Sequence, residues 1–206
     1  MTESRSDALV LFGATGDLAY EQIFPALEAM TRRGHLDIPV VGVAMPDWTV
    51  QQLRARARES ITAHGELDQD AFSKLSARLS YVAGDYEVPA TFDKLVRAIG
   101  SAKQPLFYLA VPPKLFGAVA SGIAKAGIAE RARLIVEKPF GRDLASAKAL
   151  NAVLHKSFPE PAVYRIDHFL GKEAVQNVLY FRFSHRACLA PSRRVLLRPA
   201  SPRRAA

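Results

Sequence analysis

The chain has 206 residues, 49% of them hydrophobic, and a formal charge of +8 from 28 basic and 20 acidic residues. That length fits one domain or one domain and a fragment, and the apolar content can build a core, which excludes global disorder. The single cysteine, Cys188, excludes a disulfide framework and a cysteine-based zinc site, and no apolar stretch approaches membrane-spanning length.

Residues 8–12 form a continuous apolar run ended by Gly13, the pattern of a strand buried on both faces. Residues 17–33 read as a helix with Leu18, Ile23, Leu27 and Met30 inward, bent by Pro25 and stopped at Gly34. A strand is expected over 38–44, amphipathic helices over 49–63 and 68–78, and a short strand over 81–83. A helix over 91–99, a strand over 105–111, a helix after Pro113, a strand over 133–137 and a helix over 144–157 follow. Strands alternate with helical segments throughout, which predicts an α/β fold with a Rossmann-like, doubly wound, mostly parallel sheet over residues 1–160.

After Pro159 the pattern changes. One more strand is expected over 162–166, and residues 172–182 carry a helical apolar stripe of Ala174, Val175, Val178 and Leu179. Residues 161–183 therefore read as only the beginning of a second, α+β domain. Residues 184–206 hold six arginines and no acidic residue, which leaves 22 basic against 20 acidic residues in the rest. The basicity thus belongs to a tail without helix or strand signals, expected to be disordered. It lacks interleaved aromatics, so weak, salt-sensitive and unspecific nucleic-acid contact is all that is expected of it. The polar start, Met1 to Asp7, is not a signal sequence, so a cytoplasmic protein is the expectation.

Three blocks carry chemistry. In the first, Gly13-Ala14-Thr15-Gly16-Asp17-Leu18 joins the first strand to the first helix. Gly13 permits a tight turn, Gly16 lets the backbone approach a pyrophosphate, Thr15 offers a hydroxyl, and the helix start at Asp17 and Leu18 presents free N–H groups. After the second strand stand Met45, Pro46 and Asp47, where an acidic residue favours NAD and an arginine NADP. Asp47 either accepts from a ribose hydroxyl or caps the next helix.

In the second block, Tyr108-Leu109-Ala110-Val111-Pro112-Pro113 ends a strand at the same sheet edge, leaving room for a ligand beside Tyr108, Ala110 and Pro112. Glu137-Lys138-Pro139-Phe140-Gly141 follows the next strand and aims Lys138 at the crevice where ligands sit in open α/β sheets. The third block, Arg165-Ile166-Asp167-His168-Phe169-Leu170-Gly171-Lys172-Glu173, packs two cations, a histidine and two carboxylates among apolar residues. It reads either as an anion-gripping pocket or as a salt-bridge cluster around a core histidine.

The three blocks together resemble glucose-6-phosphate dehydrogenase over about residues 8–183. The resemblance implies hydride transfer from C1 of glucose 6-phosphate to NADP, with NAD as the alternative, at the entry to pentose phosphate metabolism. It implies that His168 and Lys172 hold the substrate phosphate, that Lys138 contacts sugar and cofactor, and that Asp167 orients a catalytic histidine. The Lys138-Pro139 bond is expected to be cis. No metal site is expected, and the homo-oligomer of the intact family is not carried over to this chain.

Departures accompany the resemblance. Tyr20-Glu21-Gln22 stands where the family has a lysine, Met45 replaces a common basic residue, and Phe169 replaces a common tyrosine. Glu21 brings a negative charge toward the expected phosphates, at a cost of roughly 1 kcal/mol. The family's histidine base lies downstream, beyond these residues, so the expectation is a truncated, catalytically incomplete member with an aberrant tail. Alternatives are a non-catalytic dinucleotide-binding fragment and an NmrA-like or short-chain reductase; against the latter, Ala19 stands for a third glycine and Tyr164 is followed by His168 instead of the required lysine.

Overall fold

The computed structural model describes residues 5–167, together with Phe169 and Asn177. Two compact units divide the chain at Ile166. The first is a six-stranded, fully parallel sheet in the order β3-β2-β1-β4-β5-β6. Its strands are β1 (Ala8–Phe12), β2 (Val40–Ala44), β3 (Leu79–Ala83), β4 (Pro105–Leu109), β5 (Arg133–Glu137) and β6 (Val163–Ile166). The helices are α1 (Phe24–Arg32), α2 (Val50–His64), α3 (Gln69–Arg78), α4 (Pro89–Ile99), α5 (Phe116–Lys125) and α6 (Leu144–His155). This is the Rossmann-like fold expected, with the strand order reversing between β1 and β4.

Burial explains the apolar runs. Every residue of β1 and β2 is buried, because helices cover both faces. Successive side chains point to opposite faces. Leu9 and Leu11 join Val40, Leu53, Phe72 and Leu75 under α1, α2 and α3. Val10 and Phe12 join Phe92, Phe107, Phe116 and Leu134 under α4, α5 and α6.

Two expectations are corrected. The helix after the glycine turn is not one piece: Ala19–Ile23 forms a π-helical turn, with the Phe24 N–H donating to the Ala19 carbonyl, and α1 follows. Pro25 has no N–H, and in a regular α-helix its ring would press on the carbonyl four residues back, so a wider turn just before it makes room for the ring. The inserted residue shifts the later helix phase, so Thr31 is buried and Met30 is 41% exposed, not inward. The domain boundary also moves. Residues 163–166 pair with β5 as the sixth strand, so this stretch belongs to the first unit and not to a second domain.

Apart from Asn177, which is helical and exposed, the expected helix over 172–182 and the arginine-rich segment after it lie outside the described residues, as do His168 and Lys172. No helix among the described residues is long and apolar enough to cross a membrane.

Candidate dinucleotide-binding site

The reversal of strand order leaves a crevice at the carboxyl ends of β1 and β4, the place where ligands bind in open parallel sheets. Gly13 sits at its floor with φ +81°, a conformation that side chains resist. A Cβ there would stand 2.1 Å from the Ala110 carbonyl oxygen, so β4's exit lies directly on the turn. The Ala110 N–H donates to Phe12 O at 3.0 Å and closes this contact.

The turn is held from the other side by β2. The N–H groups of Gly13 and Ala14 both donate to Val43 O, at 2.9 and 3.3 Å. The Tyr86 hydroxyl also faces the Gly13 N–H at 3.1 Å and donates to Val43 O at 3.3 Å. Burial raises the Tyr86 pKa, and the Gly13 N–H partly offsets this. Gly16 N–H donates to Gly13 O at 2.9 Å, and Thr15 lies half-buried between the two glycines. Asp17 and Leu18 then begin a helical turn, whose first N–H groups have no preceding helical carbonyl to accept them. The bare backbone at Gly13 and Gly16, set before such a helix start, fits a pyrophosphate.

The wall beside the turn comes from α2. The Arg56 guanidinium lies over the Tyr20 ring, 4.6 Å from its centroid, and 4.0 Å from the exposed Asp17 carboxylate. Tyr20 donates to Glu59 at 3.3 Å, and the Ser60 hydroxyl donates to the Tyr20 carbonyl. Glu21 is exposed.

On the far side of the crevice, β4 ends in Tyr108 and Leu109, and Pro112 leads into a short 3-10 turn, Pro113–Leu115. The Tyr108 hydroxyl donates to Glu137 Oε1 across β4 and β5. Burial, then the bond to Glu137 and its charge, push the Tyr108 hydroxyl well above the usual tyrosine range. Glu137 has no role in the motif expectations, although a carboxylate ending a buried apolar strand is a readable signal. Lys138 follows at the end of β5, exposed, and its bond to Pro139 is cis, as expected.

The third block divides. Arg165 forms a two-pronged ion pair with Glu160, at 2.9 and 3.1 Å, and donates to Asn151 at 2.9 Å. It braces α6 and β6 through two partners that lie outside the block. In the second unit, Asp167 accepts the Phe169 N–H at 2.9 Å, and Phe169 is exposed.

The family described as Glucose-6-phosphate dehydrogenase, NAD binding domain, matches residues 10–177. The chain belongs to the glucose-6-phosphate dehydrogenase family. It is 47% identical over 182 residues to Glucose-6-phosphate 1-dehydrogenase 1 of Mycobacterium tuberculosis, covering 88% of this chain and 39% of the relative. The yeast Glucose-6-phosphate 1-dehydrogenase is 38% identical over 195 residues, covering 88% of this chain and 39% of that protein. The crystal structure of Glucose-6-phosphate 1-dehydrogenase from Mycobacterium avium superposes with a TM-score of 0.82 at 47% identity, over 89% of this chain and 40% of that one. A glucose-6-phosphate dehydrogenase solved with glucose-6-phosphate gives a TM-score of 0.80 at 32% identity, over 92% of this chain and 42% of that one. The chain thus spans about two-fifths of the length of the curated relatives it matches.

Residues 10–177 are thus the nicotinamide dinucleotide-binding domain of the family. Membership in the family also displaces the NmrA-like and short-chain reductase alternatives.

Proposed function

We propose that this chain supplies the dinucleotide half of a glucose-6-phosphate dehydrogenase. In that reaction a hydride leaves C1 of glucose 6-phosphate and 6-phosphogluconolactone forms. The bound nicotinamide accepts the hydride; NADP is the form the family resemblance implies, and NAD the alternative. The observation that carries the reading is the closure of Ala110 over Gly13 at the strand reversal, with Lys138 at the end of β5.

Each residue has a part in this reading. Gly13 and Gly16 let the pyrophosphate approach bare backbone, the Thr15 hydroxyl and the N–H groups of Asp17 and Leu18 bind it, and Tyr108, Ala110 and Pro112 border the nicotinamide half. Lys138 holds a sugar hydroxyl. His168 and Lys172 take the substrate phosphate by charge-assisted hydrogen bonds. Asp167, its carboxylate steadied by the Phe169 N–H, orients a histidine base and favours its protonated form.

The base itself is not assigned to this chain's described histidines. His155 is bound to Glu160 at 2.8 Å and faces the Phe158 carbonyl, and His64 faces the Ser60 carbonyl. His35 follows α1, just beyond Gly34. The reading is therefore a dinucleotide binder that does not by itself oxidise the sugar. Glucose 6-phosphate is its substrate partner, neither a specific nucleic acid nor a membrane is a partner, and a cytoplasmic location fits this role.

Titration calorimetry with nicotinamide dinucleotide, followed by ultraviolet absorbance after adding glucose 6-phosphate, tests this. Binding is expected without formation of reduced dinucleotide. Absence of binding would refute the dinucleotide role, and steady production of reduced dinucleotide would refute the reading that these residues do not by themselves oxidise the sugar.

A further inference from the structure

We propose that this chain prefers NAD to NADP, because the segment leaving β2 offers the adenosine ribose a carboxylate, Asp47, and no cation. The inference rests on the dinucleotide reading above and reverses its expected cofactor order.

The position of the segment is fixed by backbone bonds. The carbonyl of Val43 accepts from Gly13 and Ala14, so the residues after Ala44 flank the pyrophosphate turn directly. In folds of this order the adenosine ribose lies against the end of the second strand, where a carboxylate pairs with the 2′-hydroxyl and an arginine with a 2′-phosphate.

Hydrogen bonds also tie the segment down. The Tyr81 hydroxyl donates to Pro46 O at 2.7 Å, and the Trp48 N–H donates to the same carbonyl at 2.9 Å. The second bond closes a three-residue turn with Asp47 at its centre. The Thr49 side chain accepts the Gln52 N–H in a capping box. Thr49 thus caps α2, which leaves the exposed Asp47 without that duty. Asp47 lies near enough to Tyr81 that its charge adds to burial and to Tyr86 in pushing that hydroxyl up to about 12.

Cations do not answer it. No lysine or arginine occurs between Ala44 and Arg54, and Met45 is 59% exposed. Arg54 donates to Leu79 O at the opposite end of β3. Arg56 is engaged by the Tyr20 ring and Asp17. Lys94 donates to Ala83 O at 3.3 Å from the α4 side. A 2′-phosphate, carrying close to two negative charges, meets a carboxylate at this edge and an uncharged methionine beside it.

Titration calorimetry of the 206-residue chain with NAD and with NADP decides the matter. NADP is expected to bind about tenfold more weakly than NAD. Met45→Arg, a change at an exposed side chain, is expected to tighten NADP about tenfold while moving NAD less than about twofold. Asp47→Asn is expected to narrow the gap by weakening NAD. Equal or tighter binding of NADP by the unaltered chain would overturn the inference while leaving the dinucleotide reading intact. Failure to bind either would overturn both.

Discussion

The α-carbon of Gly13 faces the carbonyl oxygen of Ala110 so closely that one added methyl group would stand 2.1 Å from it. The obstacle is backbone in a paired strand exit and cannot rotate aside. Gly13→Ala also forces a side chain into a positive φ. Together these are expected to cost about 3 kcal/mol of folding stability and to abolish dinucleotide binding, as read by denaturant unfolding and calorimetry. Unchanged stability would mean that β4 does not close on the turn.

Tyr108 gives an alkaline signature. Its folded pKa is raised above the ordinary 10.0, so the stability it contributes is full below pH 10 and declines as pH rises further. Tyr81, raised to about 12, acts in the same direction. Unfolding free energy is expected to fall above pH 10, and Tyr108→Phe to make that fall shallower while costing about 1 kcal/mol at neutral pH. An identical alkaline slope in the variant would argue against a raised Tyr108 pKa in the folded chain.

How far the sequence reached depends on what set each feature. The strands β1 and β5 and the glycine turn were legible because local signals and tertiary packing agree there. Burial on both faces demands a run such as Ala8–Phe12, and the turn demands Gly13. The inward face of α1 was not legible: the π-helical turn before Pro25 changes the helix phase, and an apolar count assumes a constant one. Nor was β6 legible as part of the first unit, since pairing of Val163 with Leu134 is long-range. The Tyr108–Glu137 bond was hidden for the same reason, its partners being 29 residues apart. Arg165 shows the converse limit: a charged residue in a specific motif serves α6 and β6.

On the opposite face of the sheet, α4 and α5 meet at Gly122. A Cβ there would lie 2.1 Å from the Phe92 ring, which is buried. Gly122→Ala is expected to lower stability by about 2 kcal/mol through overpacking. Adding Phe92→Leu is expected to return part of that loss, so the double variant should be more stable than the sum of the single effects predicts. Strict additivity in denaturant titrations would count against a direct clash.

Acid titration reports on Glu160. Hydrogen bonding to Arg165, then its charge and that of His155, holds the Glu160 carboxyl below its usual 4.5 despite an opposing desolvation. The stability this confers is present above pH 4.5 and lost as pH falls through the lowered value. Glu160→Gln is expected to lower the Tm at neutral pH and to flatten its decline in acid. A parallel acid decline in both proteins would show that the pair contributes nothing measurable.

The pairing of β1 with β4 sets an order of events at the ribosome. The Asp7 carboxylate accepts from the N–H groups of Lys103 and Gln104, 96 and 97 residues later, where the two strands begin side by side. At ordinary elongation rates roughly 5–20 s separate their synthesis. During that interval β1 can pair with β2, but its other edge stays open and Ala110 does not yet exist to close over Gly13. The glycine turn is among the first sequences made, yet it becomes a floor only when the middle of the chain arrives. Dinucleotide capture on the nascent chain would therefore mark the moment at which the two halves of the sheet join.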